Sequence, residues 1–129
     1  MIKVQRLTVD SDKPYENVSI PEHGESFGYP NFFEDSNFSF RDKMGTFSVP
    51  YYAVTLIQLN NTQMKDGILV KRLTVSGDMS FENVKVLRPE SYSKNGIPII
   101  FPLSDQFVFS DKSGTYITSD YQISLVRFE

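Results

Sequence analysis

The chain of 129 residues has no cysteine, no tryptophan and a single histidine, His23. Without cysteine there is no disulfide framework, no thiolate zinc site and no thiol nucleophile. One histidine cannot pair with another to hold a metal, and it weakens any mechanism built on an imidazole base. Alanine occurs once, at Ala53, although helices favour it above all other residues. No apolar run approaches the roughly 20 residues of a membrane-spanning helix. Residues 1–6 lack the apolar centre of a signal peptide, so the expected compartment is the cytoplasm. Thirteen Lys and Arg against sixteen Asp and Glu leave a net charge of -3. The longest basic run is Lys71-Arg72. Tight, non-specific nucleic-acid binding depends on neutralising phosphates with basic side chains, and this balance disfavours it. Phosphate-binding glycine loops and the nucleophile elbow of hydrolases are also missing.

What is present points to β-structure. Val, Ile and Thr supply 27 residues, and eleven Phe and seven Tyr add aromatic bulk. These are strand-favouring side chains, and so many aromatics belong to a packed domain rather than a disordered chain.

The chain is one motif written twice. VQRLTVDSDKPYENV (4–18) matches VKRLTVSGDMSFENV (70–84) at nine of fifteen positions. Further on, Pro21-Glu22 matches Pro89-Glu90, and Gly28-x-Pro30 matches Gly96-x-Pro98. FSFRDKMGTF (38–47) then matches FVFSDKSGTY (107–116), and YAVTL (52–56) matches YQISL (121–125). The duplication covers 3–59 and 69–128, joined by 60–68, within a single domain 1–129. Each copy predicts four strands: 4–9, 15–20, 37–41 and 46–59, then 70–75, 81–86, 106–110 and 115–128. The last of each breaks at Pro50 or Asp120. Asp42 and Asp111 read as turn residues ahead of Gly45 and Gly114.

Alternation assigns a core of Leu7, Val9, Val18, Ile20, Phe38, Phe40, Tyr52, Val54 and Leu56, with their counterparts Leu73, Val75, Val84, Val86, Phe107, Phe109, Tyr121, Ile123 and Leu125. A half of about 60 residues cannot bury both faces of its strands. The expected fold is therefore all-β. It is a single-domain β-sandwich or barrel of about eight strands, built from two repeats about a pseudo-twofold axis, with the sandwich preferred.

Three groups of residues are candidates for function. Glu16 and Glu82 would form a hydrolytic carboxylate pair if they met at the axis. The plainer expectation is an ion pair with Arg6 and Arg72 in each hairpin. Phe27, Tyr29, Phe32 and Phe33 crowd the loop 26–33. Exposed, they would stack on bases or sugars; buried, they would seal the core. Ile57, Leu59, Val126 and Phe128 make the end of the last strand of each copy apolar on its second face as well. That marks either a central strand or an interface. Asn17 and Asn83 are expected to cap loop backbone. Asp10-Ser11-Asp12 and Glu34-Asp35 offer oxygens but no calcium-loop pattern.

No cofactor or metal is expected. The leading reading is a non-catalytic binding or assembly module with a protein partner or a homo-oligomeric state, and without membrane contact. A nucleic-acid-binding β module is the alternative. A carbohydrate-binding module, a phage-type structural subunit or inhibitor, and a carboxylate-pair hydrolase follow it.

Overall fold

A computed structural model describes residues 2–10, 14–21, 24–26, 28–60, 63–77, 79–87, 92–99 and 106–128. The strands in chain order are β1 (Ile2–Val9), β2 (Tyr15–Ile20), β3 (Glu25–Ser26), β4 (Tyr29–Pro30), β5 (Asn37–Asp42), β6 (Gly45–Pro50), β7 (Val54–Leu59), β8 (Ile68–Val75), β9 (Met79–Val86), β10 (Gln106–Asp111), β11 (Gly114–Ser119) and β12 (Ile123–Arg127). Two 3-10 turns, Tyr51–Ala53 and Asp120–Gln122, separate β6 from β7 and β11 from β12. The expected fourth strand of each copy is thus two strands, broken after Pro50 and after Ser119. Eight expected strands become ten, with β3 and β4 as an extra two-stranded hairpin.

The ten strands form one open sheet in the order β12-β8-β9-β10-β11-β7-β1-β2-β5-β6. Counterpart strands of the two copies follow each other identically: β7-β1-β2-β5-β6 in the first half and β12-β8-β9-β10-β11 in the second. The halves meet where β7 pairs antiparallel with β11, Ile57 opposite Ile117 and Gln58 opposite Tyr116. A twofold axis would also pair β6 with β12. Those two strands are instead the ends of the order.

Each half must curl. Laid flat, β6 and β7 would be about 19 Å apart, four spacings of roughly 4.8 Å. Yet only the three residues Tyr51–Ala53 connect them, and a 3-10 turn advances about 2 Å per residue. The curl gives each half an interior. One core cluster holds Val4, Leu7, Val18, Ile20, Phe38 and Phe40, with Val108 and Ile117 lent by the second half. The other holds Val70, Leu73, Val84, Val86, Phe107 and Phe109, with Leu56 lent by the first.

Local chemistry recurs at matching positions. Tyr15, Phe40 and Phe47 pack with ring centroids 5.0, 5.5 and 5.2 Å apart. Their sequence counterparts Phe81, Phe109 and Tyr116 pack at 5.1, 5.0 and 5.2 Å. The Asp42 carboxylate accepts a bond from the Met44 N–H at 2.7 Å, and Asp111 does the same for Ser113 at 2.7 Å. Both aspartates close turns, as expected of them.

Asn17 and Asn83 differ from expectation. They adopt φ of 53° and 52° inside β2 and β9, at gaps in the β1·β2 and β8·β9 registers. They sit within strands and not in loops. Asparagine tolerates this left-handed backbone better than other side chains with a Cβ.

Three expected core residues lie outside the core. Tyr52 is 59% exposed, Tyr121 49% and Leu125 54%. Alternation assigned them inward, but the 3-10 turns take Tyr52 and Tyr121 out of the strand pattern, and Leu125 lies on the edge strand β12.

Candidate interaction surface at the sheet edges

The duplicated charged residues settle into their own hairpins. Arg6 faces Glu16 across β1·β2, with Nε 3.8 Å from Oε1. Arg72 faces Glu82 across β8·β9 at 3.6 Å. All four side chains are about half exposed, and such pairs contribute about 0.2–1 kcal/mol. Four strands stand between β9 and β2 in the sheet order, so the sheet sets each glutamate against an arginine within its own hairpin. Among the described residues, no three His, Asp or Glu side chains gather as metal ligands. Asp10 accepts a bond from the Thr55 hydroxyl at 2.8 Å.

The aromatic loop turns inward. Phe32 and Phe33 are 2% and 5% exposed, and both pack on Phe38. Their ring faces are therefore spent on the core, and a stacking platform for bases or sugars loses two of its four rings. Tyr29 is half-buried, and burial raises its phenol pKa. Phe27 lies outside the described residues, as do His23, Asp12, Asp78, Glu22 and Glu90. Gln106 of the second half pins this loop. Its Oε1 accepts from the Phe32 N–H at 3.0 Å, and its Nε2 donates to the Pro30 carbonyl at 2.8 Å.

The doubly apolar strand ends take two different positions. Ile57 and Leu59 lie on β7, where all six residues are buried, because β1 and β11 flank it. Val126 on β12 and Phe128 just beyond it are half-buried against the second core. β12 has β8 on one side and, among the described residues, no strand on the other.

Among the described residues the sheet ends in two edges, β12 and β6, and they differ chemically. The outward positions of β5 and β6 carry Asn37, Ser39, Arg41, Thr46 and Ser48. These bond to one another: Ser48 Oγ donates to Asn37 Oδ1 at 2.9 Å, Ser39 and Ser48 hydroxyls lie 3.1 Å apart, and Arg41 Nε donates to Thr46 at 3.0 Å. Pro50 ends the strand without an N–H to offer. β12 has neither charge nor proline from Ile123 to Val126, and Leu125 projects from it into solvent.

Leu125, Tyr52 and Tyr121, which alternation assigned to the core, and Leu69, which it left unassigned, are exposed apolar residues. For Leu69 a signal existed, since its counterpart is Lys3. For Leu125 none did, because its counterpart Leu56 is a core leucine.

Comparison of the chain with protein-family models, with curated proteins and with solved structures gives no match. No helix among the described residues is long and apolar enough to cross a membrane.

Proposed function

We propose that the chain is a non-catalytic interaction module that works through its free edge β12, docking a protein partner or another copy of itself. The observation that carries this reading is Leu125, 54% exposed on an edge strand whose residues 123–126 are uncharged. Edge strands present unpaired backbone groups to any suitable strand. Natural proteins blunt them with lysine, proline or inward charge where docking is unwanted. An added strand supplies backbone hydrogen bonds for affinity, and its side chains supply selectivity.

The same proposal takes the molecule as two copies of one curled, barrel-like five-stranded unit joined at β7·β11. Its support is the repeated strand order, the matching aromatic trios and a shared irregularity. The register slips between Thr8 and Val9 on β1·β7, and between Ile123 and Leu125 on β12·β8.

A pull-down from the source cell's lysate tests the function, with wild-type and Leu125→Lys baits and nuclease treatment. A protein that survives nuclease and is lost with Leu125→Lys is the expected result. Equal recovery by both baits, or only nuclease-sensitive material, would overturn the reading.

A further inference from the structure

We infer that Tyr51, Tyr52 and Tyr121 form a binding site for a methylated ammonium group, the head of choline or of a trimethylated lysine side chain. The site lies on the two 3-10 turns and does not depend on β12.

Exposed apolar residues scattered singly are ordinary. These three rings are clustered. The Tyr51 centroid lies 5.9 Å from that of Tyr52 and 6.2 Å from that of Tyr121. Tyr52 is 59% exposed and Tyr121 49%, while Tyr51 is half-buried against the first core. The first half supplies two of the rings and the second half supplies one, so the cluster spans the joint. Hydrogen bonds brace both turns. Gln122 Nε2 donates to the Tyr52 carbonyl at 2.9 Å. The Tyr51 N–H donates to the Ser36 carbonyl at 3.0 Å, the Asp10 N–H to Ala53 at 2.8 Å and the Ser76 N–H to Gln122 at 2.8 Å. Rings carried on a braced backbone leave a ligand little ordering to impose.

Ring geometry narrows the ligand. Tyr51 stands at 79° to Tyr52 and at 88° to Tyr121. Rings so set share no plane, so they do not make a flat platform on which successive bases or sugars stack. Perpendicular rings make corners, and a corner receives a compact, rounded group. A cation is attracted to an aromatic ring within about 6 Å of its centroid. Between Tyr51 and either neighbour, one group comes within that reach of two rings.

Charge narrows it further. Tyr51 has Asp120 as its repeat counterpart, and Asp120 directly precedes Tyr121. Asp10 is bonded to the first turn, and Asp35 precedes Ser36, which is bonded there too. Residues 8–10, 35–37, 49–56, 75–77 and 117–123 contain these three aspartates and no Lys or Arg. The surroundings therefore favour a cation. A bare ammonium is strongly hydrated, and exposed rings cannot replace that water. Methylation keeps the charge, removes the N–H donors and adds apolar surface for the rings to cover.

Choline, its uncharged isostere 3,3-dimethyl-1-butanol, and a glycine-flanked peptide with trimethyl-lysine or plain lysine are the probes. Each is titrated into the full chain, with the tyrosine ring signals followed by NMR. Circular dichroism first confirms that Tyr52→Ala, Tyr121→Ala and Tyr52→Phe keep the wild-type fold. The expected result is saturable shifts at Tyr51, Tyr52 and Tyr121 with choline, and affinity for the isostere lower by about tenfold. Each alanine variant should bind about threefold or more weakly, and Tyr52→Phe as the wild type does. Trimethyl-lysine peptide bound about tenfold or more tightly than choline would support the site and assign it to a protein side chain. Choline bound as tightly as that peptide would support it and assign a free small molecule. No saturation by choline or by either peptide at about 100 mM would overturn the inference. So would an isostere that binds as choline does, plain lysine that binds as trimethyl-lysine does, or alanine variants that bind as the wild type.

Discussion

Ile57 on β7 and Ile117 on β11 face each other across the strand pairing that, among the described residues, joins the two halves, and both are fully buried. Either one truncated to alanine leaves a cavity in the seam. Each substitution is expected to cost about 2–5 kcal/mol. Ser48, the counterpart of Ile117 on the free strand β6, should tolerate alanine within about 0.5 kcal/mol. Urea unfolding of the three variants checks this. Equal losses at positions 117 and 48 would mean the seam does not stabilise the fold.

Leu56 and Leu125 make a second contrast. They share a repeat position, but Leu56 is 7% exposed and Leu125 54%. Leu56→Ala should lower stability by about 2–5 kcal/mol and Leu125→Ala by about 0.5 kcal/mol or less. The difference should appear as a lower Tm for Leu56→Ala in thermal unfolding at low protein concentration.

Asn17 and Asn83 hold φ near +50° within strands. Glycine adopts this backbone freely, whereas a β-branched side chain is strained there. Asn17→Gly is expected to stay within about 0.5 kcal/mol of wild type, and Asn17→Val to lose about 1–2 kcal/mol. Position 83 should behave alike. Valine tolerated as well as glycine at either position would contradict the left-handed conformation.

The Gln106 side chain bonds both the Phe32 N–H and the Pro30 carbonyl. Gln106→Ala strands the Phe32 donor in a buried setting, at an expected cost of about 1–3 kcal/mol. Hydrogen exchange at the Phe32 amide should accelerate more than exchange at Ile57. Unchanged protection of Phe32 would show that another group takes over.

Burial, and secondarily the charge of Asp111, raise the Tyr116 phenol above its usual pKa. The neutral form is the one the fold favours. Its stabilisation is fully present below the unfolded value of about 10 and is lost as pH rises through the higher folded value. Tyr116→Phe should therefore flatten the decline in Tm above about pH 10. An alkaline slope identical to that of the wild type would show that other groups cause it.

Much of this was legible locally. Leu7, Val9, Leu73 and Val75 declare β1 and β8 by alternation, and their burial follows. Asp42-x-x-Gly45 declares its turn because the aspartate oxygen and the glycine backbone act within four residues. Arg6 and Glu16 find each other because a short hairpin sets their register. The left-handed backbone at Asn17 was harder to see, since asparagine suits both loop caps and a positive φ within a strand. Phe32 and Phe33 could have gone either way, because what buries them includes Gln106, 74 residues further along the chain.

The sequence by itself determined the all-β class, most strand limits and the turn chemistry. All of these follow from interactions between near neighbours in the chain or from comparing one half with the other. Only the tertiary structure decided that β7 lies at the centre and β12 at the edge. Two strands of similar pattern were available, and β11 can hydrogen-bond along only one side of one of them. That choice is made between residues about 60 apart, and it is why Leu56 is core while Leu125 is surface.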